Sequence, residues 1–341
     1  MRYYNIPIFV PHEGCPYNCI FCNQKRITGE DTSVTGADIV RIIDEHLATL
    51  PKTDRYIEAA FFGGSFTGIS AEKQEEFLSI VQKYKSAGKI DGIRMSTRPD
   101  YIDDEIIDRL KKYGVTTVEL GVQSMDSEVL RLSARGHTSG DVERAAEMIK
   151  AAGIHLGLQM MTGLPGDTPE KSIETARRII ALKPDCVRIY PTLVVRDTPL
   201  ETMYKNGKYT PQTLDEAVQL CKKLLLMFDA AKIDVIRVAL VTTDEISEKG
   251  AVVAGPFHSA FRELCESEIY FDKMCDVLDN QLVSEFYVNL CEVSKAIGNK
   301  RRNIKKIKEK YNIDIKIKPM NGIEKGRLLP GRMRNNCTSK G

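Results

Sequence analysis

Apolar positions along the chain follow two alternating periods. Short runs rich in β-branched and aromatic residues predict strands near 4–9, 57–62, 92–96, 116–121, 155–161, 186–190 and 233–238. Between them, apolar residues three and four positions apart predict helices at about 37–49, 71–86, 103–112, 140–152, 169–182 and 213–229. Ser70, Ser139 and Thr168 supply helix-start signals. From about residue 240 to 278 the pattern is less regular.

Strands that alternate with helices at this spacing predict parallel βαβ units. Six or more units in succession predict that residues 1–240 form one α/β domain, a partial or full (β/α) barrel. We expect residues 241–280 to form a helical extension that caps the barrel, and residues 281–341 to form a separate small α/β module. In such barrels the C-terminal ends of the strands share one face, and that face carries the active site.

Composition and charge add a location and a partner class. The 341 residues have a net charge of +2, and no apolar run approaches the ~18 residues of a membrane span. The N-terminus lacks the features of a signal peptide, so we expect a cytoplasmic protein with reduced thiols and no membrane partner. Residues 291–341 hold 15 Lys or Arg and four Asp or Glu, whereas the rest of the chain is acidic. This basic end predicts a polyanionic partner.

Three of the nine cysteines, Cys15, Cys19 and Cys22, form a C-x3-C-x2-C motif after the first predicted strand. Three closely spaced thiolates can ligate three irons of a [4Fe–4S] cluster and leave the fourth iron open. One face of a buried helix has the same spacing, but Gly14 and Pro16 disfavour a helix here. Zinc usually takes four protein ligands, and no second C-x2-C motif or His pair accompanies this one. The motif therefore predicts an iron–sulfur cluster.

This motif, with Phe21 before its last cysteine, resembles the cluster-binding loop of the radical S-adenosylmethionine (SAM) superfamily. The resemblance implies that SAM chelates the open iron and that one electron from the cluster cleaves it. The products are methionine and a 5′-deoxyadenosyl radical, which abstracts a hydrogen atom from the substrate. The resemblance also implies that Phe21 packs near the adenine and that an electron donor such as ferredoxin or flavodoxin is needed.

Polar or glycine-rich motifs follow the other predicted strands, and any one of them alone would equally suit a helix cap or a surface loop. FFGGSFTG resembles the glycine-rich element of the family, with Ser65 where Glu is frequent. STRPD, GVQS, SARGHT and QMMTGLPG resemble two branches, the oxygen-independent coproporphyrinogen oxidases and the Elongator catalytic subunit. The SAM contacts that these resemblances imply come from Gly63, Gly64, Ser65, Ser96, Arg98, Gln123, Arg135 and Gln159.

The run YPTLVVR, together with TRPD and GVQS followed by RGHT, resembles the Elongator-type branch closely over residues 5–260. In that branch the substrate is tRNA, modified at C5 of the wobble uridine with an acetyl group. About 80 residues follow the resemblance, so we expect no acetyltransferase domain. Tyr190, Arg196 and His137 are candidates for the substrate side of the catalytic site, and a structural role is equally open for each.

Residues 281–318 predict a helix-like stretch, a loop at Gly298, a basic helix through Lys310 and a strand. This order resembles a minimal KH-type element, whose G-x-x-G loop clamps a nucleic-acid backbone. Arg301 stands where the second glycine would be. The RNA contacts that the resemblance implies come from Gly298, Lys300, Arg301, Arg302, Lys305 and Lys306. A solvated basic helix that docks on the acidic barrel is the alternative.

The main hypothesis is therefore a radical SAM enzyme that modifies tRNA or another RNA. A radical enzyme acting on a small molecule, such as a tetrapyrrole, is a second interpretation of the same motifs. A third is a non-enzymatic RNA-binding protein that uses its cluster as a sensor and does not cleave SAM. A fold of this kind supports many reactions, so the fold alone does not choose among them.

Overall fold

The seven predicted strands form one parallel sheet in a computed structural model, which describes residues 2–10, 19–23, 34–241, 243, 246–247 and 250–331. The strands are β1 Arg2–Phe9, β2 Arg55–Phe62, β3 Gly92–Thr97, β4 Thr117–Gln123, β5 His155–Thr162, β6 Cys186–Pro191 and β8 Asp234–Val238. Each pairs with the next in the order β1-β2-β3-β4-β5-β6-β8. The sheet curls into a half-barrel. It does not close, because β1 and β8 are its two edges and do not pair with each other. The predicted α/β barrel is confirmed in its partial form.

The crossover segments between these strands contain the predicted helices. They are α1 Gly36–Thr49, α2 Ala71–Ser86, α3 Asp104–Lys112, α5 Ser139–Ala151, α6 Pro169–Ala181 and α8 Leu214–Ala230. Two short helices, α4 Ser127–Leu132 and α7 Pro199–Lys205, and a small pair of strands, β7 Val194–Val195 and β9 Val252–Ala254, were not predicted. Ser70 and Thr168 are N-caps as expected. The cap of α5 is Thr138, which forms a reciprocal capping box with Asp141, and not Ser139.

The chain divides into two compact units. The barrel unit comprises Met1–Ala217 and Leu224–Phe257, and the C-terminal unit comprises Val218–Lys223 and His258–Gly341. The boundaries predicted at residues 240 and 280 stay a prediction. Among the described residues, no helix is both long enough and apolar enough to cross a membrane.

The C-terminal unit contains α9 Phe261–Leu278, β10 Glu285–Val288, α10 Val293–Ile297, α11 Arg302–Tyr311, β11 Lys316–Pro319 and β12 Leu328–Pro330. Strand β10 is central, parallel to β11 and antiparallel to β12. The stretch predicted as helix-like therefore begins with a strand, because Phe286 and Val288 alternate with partly exposed residues and are fully buried. The basic helix predicted through Lys310 is present as α11.

The loop between α10 and α11 is fixed by packing inside the C-terminal unit. Asn303 is fully buried, and its Nδ2 donates hydrogen bonds to the carbonyl oxygens of Ser267 (2.9 Å) and Ala296 (3.0 Å). Gly298 has φ +79°, and a Cβ there would lie 2.9 Å from Ser267 Oγ. A side chain at position 298 would therefore strain the backbone and collide with α9.

A buried ionic cluster, formed by Glu58, Arg94, Glu119 and Arg188, joins four strands of the barrel unit. Glu119 is 1% exposed and accepts hydrogen bonds from Arg188 Nε (2.5 Å), Arg188 Nη2 (2.8 Å) and Arg94 Nη1 (2.8 Å). Arg94 Nε donates to Glu58 at 2.6 Å, and Gln159 Nε2 donates to Glu119 at 3.0 Å. Burial raises the pKa of Glu119, but the guanidinium groups of Arg188 and Arg94 outweigh it and hold that pKa below its usual range.

Replacing Glu119 by Gln should destabilise the barrel unit by about 3 kcal/mol, because Arg188 would lose its buried counter-charge. Urea denaturation measures the loss as a lower midpoint. The control is Glu128→Gln, which removes an exposed ion pair with Lys171 (2.8 Å) and should cost less than about 1 kcal/mol. Equal losses in the two variants would contradict a structural role for the ionic cluster.

Candidate active site

A cavity of about 490 Å³ lies within the barrel unit. Its wall runs across the sheet from Asn5 on β1, past Gln123 at the end of β4, to Arg237 on β8. Alternate residues of a strand share a face, and parallel strands end at one edge, so residues distant in sequence meet here. The cavity is where the sequence predicts the chemistry to be.

Most residues predicted to contact the cluster or SAM line this one cavity. They are Cys19, Cys22, Gly63, Gly64, Ser65, Ser96, Arg98, Gln123, Arg135 and Gln159. Phe21 is not among the lining residues and packs instead against the cluster of Val194, Leu200 and Tyr209. Cys15 lies outside the described residues.

Cys19 and Arg135 are in direct contact at the cavity wall. Cys19 is 3% exposed, and its Sγ lies 3.3 Å from Arg135 Nη1, which donates to it. The amide of Cys22 donates to the carbonyl of Cys19 at 3.0 Å, so both thiols belong to one tight turn. A guanidinium beside a thiolate stabilises its charge, and hydrogen bonds to ligating sulfurs tune the potential of an iron–sulfur cluster. The pair therefore suits a cluster-binding loop.

Gln123 is held in a left-handed backbone conformation, with φ +64°. The pairing of β4 with β5 is irregular between Gly121 and Gln123, which turns the Gln123 side chain toward the cavity. Its Oε1 is buried, and neither that atom nor Arg135 Nε has a hydrogen-bond partner within the described part of the chain. Strained, unsatisfied polar groups of this kind are typical of binding sites.

Glycines leave room for a ligand beside these groups. A Cβ at Gly121 would lie 3.1 Å from Gln123 Nε2 and 3.3 Å from Arg135 Nη2, so a side chain there would fill the space. Gly63 has φ +93° and precedes Gly64 in the loop after β2. The site next to Cys19 thus offers an acceptor (Gln123 Oε1), a donor (Arg135 Nε) and glycine backbone that a ligand can approach closely. These groups fit the amino-acid and nucleoside parts of SAM beside a cluster.

Arg98 has a different environment from Gln123. It is 2% exposed, and Asp100 holds it with two hydrogen bonds of 2.9 Å each. Its Nη2 also donates to the carbonyl of Arg135. Arg98 therefore fixes the segment that carries Arg135, in addition to lining the cavity.

The opposite wall of the cavity contains two arginines that were not predicted from the sequence, Arg188 on β6 and Arg237 on β8. Arg188 belongs to the ionic cluster, and its guanidinium also lies 5.4 Å from the centre of the Phe62 ring. A signal was present in the sequence, because each arginine interrupts a short apolar strand, CVRIY and DVIRV. Charges in strands that are buried on both faces need a partner or a ligand.

The three candidates for the substrate side are dispersed. Tyr190 lines the cavity, and burial raises the pKa of its phenol. His137 is 4% exposed, does not line the cavity and has Nε2 3.2 Å from the carbonyl oxygen of Val122. Burial, and after it the charges of Arg135 and Arg98, lower the pKa of His137 to about 3, so it is neutral at pH 7. Arg196 is exposed and outside the cavity lining.

Comparison with known proteins gives two family matches and several relatives. Residues 9–179 match the radical SAM superfamily, and residues 184–270 match the radical SAM C-terminal domain. A tRNA uridine(34) acetyltransferase from Methanocaldococcus jannaschii is 29% identical over 255 residues, covering 63% of this chain and 47% of that protein. Elongator complex protein 3 from Saccharomyces cerevisiae is 31% identical over 203 residues, covering 54% of this chain and 36% of that protein. The chain thus spans half or less of the length of these two relatives.

Among solved structures, the archaeal Elp3 of Methanocaldococcus infernus with an N-terminal deletion has a similar fold. The TM-score is 0.59 at 25% identity, over 80% of this chain and 63% of that one. The first family match covers about half of the chain and includes the cysteine motif and strands β2 to β5. The chain therefore belongs to the radical SAM superfamily, in a branch that resembles Elongator complex protein 3, and is an enzyme whose cofactors are a [4Fe–4S] cluster and SAM.

Proposed function

We propose that this enzyme modifies tRNA or another RNA by radical chemistry in the cavity of the barrel unit. Relatives named for tRNA uridine(34) acetylation support RNA as the substrate class. Bound together, the cluster and SAM supply the radical by one-electron cleavage of SAM. The enzyme would act in the cytoplasm with a small electron-transfer protein, such as a ferredoxin or flavodoxin, as donor.

The observation that carries the radical chemistry in this proposal is the contact between Arg135 and Cys19 beside the unsatisfied Gln123 amide. In the proposed site Cys15, Cys19 and Cys22 hold the cluster, and Arg135 donates to a ligating sulfur. Gln123 Oε1 accepts a hydrogen bond from SAM, and the backbone at Gly63 and Gly121 approaches it closely. Ser65, Ser96 and Gln159 contribute polar groups to the same wall.

The C-terminal unit supplies a basic surface suited to a phosphate backbone. Lys300, Arg301 and Lys305 are exposed, and their side chains make no ion pair with any residue in the described ranges. Two other predicted RNA residues lie beside a carboxylate instead. Lys306 Nζ is 2.6 Å and Arg302 Nε 3.9 Å from Glu268, which is largely buried. Lys300, Arg301 and Lys305 are therefore the better candidates for phosphate contacts.

The order of elements supports a KH-like arrangement for this surface. Strand β10, helices α10 and α11 and strand β11 follow one another, and β10 and β11 are parallel neighbours. The loop from Gly298 to Arg301 lies between the two helices, where a KH element places its backbone-clamping loop. Lys300 and Arg301 have φ +50° and +61°, a conformation that ordinary side chains adopt at some cost. Its residues 299–301 are thus an exposed, strained and basic turn.

Anaerobically reconstituted protein should bind about four irons per chain, and Cys15→Ala, Cys19→Ala and Cys22→Ala should each lose most of this iron. Iron analysis and the visible absorption of the cluster measure the effect. Cys221→Ala is the control, because Cys221 is a buried cysteine of the C-terminal unit and is not part of the motif. A triple cysteine variant that still holds four irons would refute the assignment.

Gln123→Ala should weaken SAM binding to the oxidised cluster form by about tenfold, because one buried hydrogen bond to the ligand is removed. Equilibrium dialysis measures the dissociation constant without turnover. Gln82→Ala on α2 is the matched control, since Gln82 bonds to the Lys112 carbonyl and lies outside the cavity lining. Unchanged affinity in Gln123→Ala would remove Gln123 from the SAM site.

The double variant Lys300→Ala/Arg301→Ala should flatten the salt dependence of tRNA binding by about 0.7–0.9 in logarithmic slope for each phosphate that is no longer neutralised. Lys308→Ala/Lys318→Ala is the control of equal charge, because these lysines already pair with Asp314 and Glu285. A filter-binding titration from about 50 to 200 mM salt gives both slopes.

Gly298 is unsuitable for this test, since its substitution would disturb the fold. Equal slopes for both variants would argue for net charge alone, and wild-type protein without salt-dependent binding would exclude RNA.

A further inference from the structure

Arg237 is the part of the cavity wall that the proposed SAM site does not use. It is half-buried on β8 and lines the cavity. The pairing of β6 with β8 is irregular between Val187 and Arg188, and as a result Arg188 lies opposite Arg237 rather than opposite Ile236. Two guanidinium groups are thus side by side on one wall of the cavity.

The ionic cluster is electrically neutral without the charge of Arg237. The ionic cluster contains two carboxylates, Glu58 and Glu119, and two guanidinium groups, Arg94 and Arg188. Arg188 is therefore neutralised by Glu119, whereas Arg237 makes no hydrogen bond or ion pair with the residues that the structure describes. Arg237 is a surplus positive charge on a partly buried surface.

The surroundings of Arg237 disfavour an unpaired charge. Burial lowers the pKa of Arg237, and the neighbouring charge of Arg188 acts in the same direction. Tyr190 and Glu119 act in the opposite direction but do not outweigh the burial. Like charges directly opposite each other in adjacent strands repel. Leu240 and Val241, just after β8, line the cavity beside it and add apolar surface. An anion bound at Arg237 would offset both the repulsion and the desolvation.

The position of Arg237 separates it from the proposed SAM contacts. Those contacts follow β1 to β5, and the nearest of them in the sheet, Gln159 on β5, is two strands from β8. At about 4.8 Å between strands, this corresponds to roughly 10 Å along the sheet. Tyr190, on β6 next to β8, adds a phenol that can donate a hydrogen bond to the same region.

We propose that Arg237, assisted by Tyr190, binds a carboxylate or phosphate group of a second ligand, distinct from SAM, on the β6–β8 side of the cavity. This inference rests on the proposed radical SAM function, because it takes the other wall to be occupied by SAM. The group would position the substrate, or a co-substrate, with its reacting part toward the cluster side. A carboxylate would indicate a small organic acid, and a phosphate would indicate a nucleotide or another phosphorylated group.

The test uses protein with its oxidised cluster and saturating SAM, at constant ionic strength. The excess linewidths of [13C]acetate and of inorganic phosphate are measured by NMR for wild type, Arg237→Gln and Arg237→Lys. Any background binding of anions to the basic C-terminal unit would be common to all variants, so the difference between wild type and Arg237→Gln is the measure. Arg177→Gln is the control, because Arg177 is an exposed arginine outside the cavity lining. A melting curve checks folding, and Arg237→Met replaces the glutamine variant if that variant does not fold.

We expect Arg237→Gln to lower the excess linewidth of one or both anions at least threefold, with Arg237→Lys intermediate and Arg177→Gln unchanged. The anion affected identifies the carboxylate or the phosphate source. Linewidths equal in wild type and Arg237→Gln would overturn the proposal. So would a loss of SAM affinity of more than about threefold in Arg237→Gln, since Arg237 would then belong to the SAM site. Release of 5′-deoxyadenosine by the wild type with dithionite tests the radical SAM function separately.

Discussion

The hydrogen bonds and ion pairs of the Glu119 carboxylate are the interactions on which the cavity depends. Side chains from β3, β4, β5 and β6 meet at this group through Arg94, Gln159 and Arg188. A parallel sheet that curls into a half-barrel leaves polar side chains on its concave face, where water is scarce, and each needs a partner. Glu119 provides one for three of them at once. The contacts of Glu119 therefore determine both the shape and the charge of this wall.

The two sides of the cavity differ in the chemical groups that they present to a ligand. The side that carries Cys19, Gln123 and Arg135 presents thiols, a strained backbone and unsatisfied amide and guanidinium atoms, which suit a ligand that is itself polar and closely held. The side that carries Arg188 and Arg237 presents positive charge next to apolar residues. Such a division allows a reactive cofactor and a second molecule to be recognised independently.

Much of the fold was predictable because strand and helix periods alternate clearly, and the positions of Cys19, Gln123 and Arg135 followed from motifs at strand ends. Strand β10 was missed because its four residues precede a helical pattern and its pairing partners lie about 30 and 40 residues away. The roles of Arg188 and Arg237 depend on an irregular register between β6 and β8, which the sequence does not show. The pairing of Lys306 with Glu268 likewise depends on tertiary packing.

The backbone of Gln123 has a consequence for how this protein responds to selection. A left-handed conformation costs a residue with a side chain about 1–2 kcal/mol, whereas glycine adopts it freely. A search for thermostable variants would therefore favour glycine at position 123, and the same change would delete the amide that faces the cavity. With Gln123 in its proposed role as a SAM ligand, stability and SAM binding therefore conflict at this residue. Screens for robust forms of the enzyme should hold position 123 constant and look for gains elsewhere.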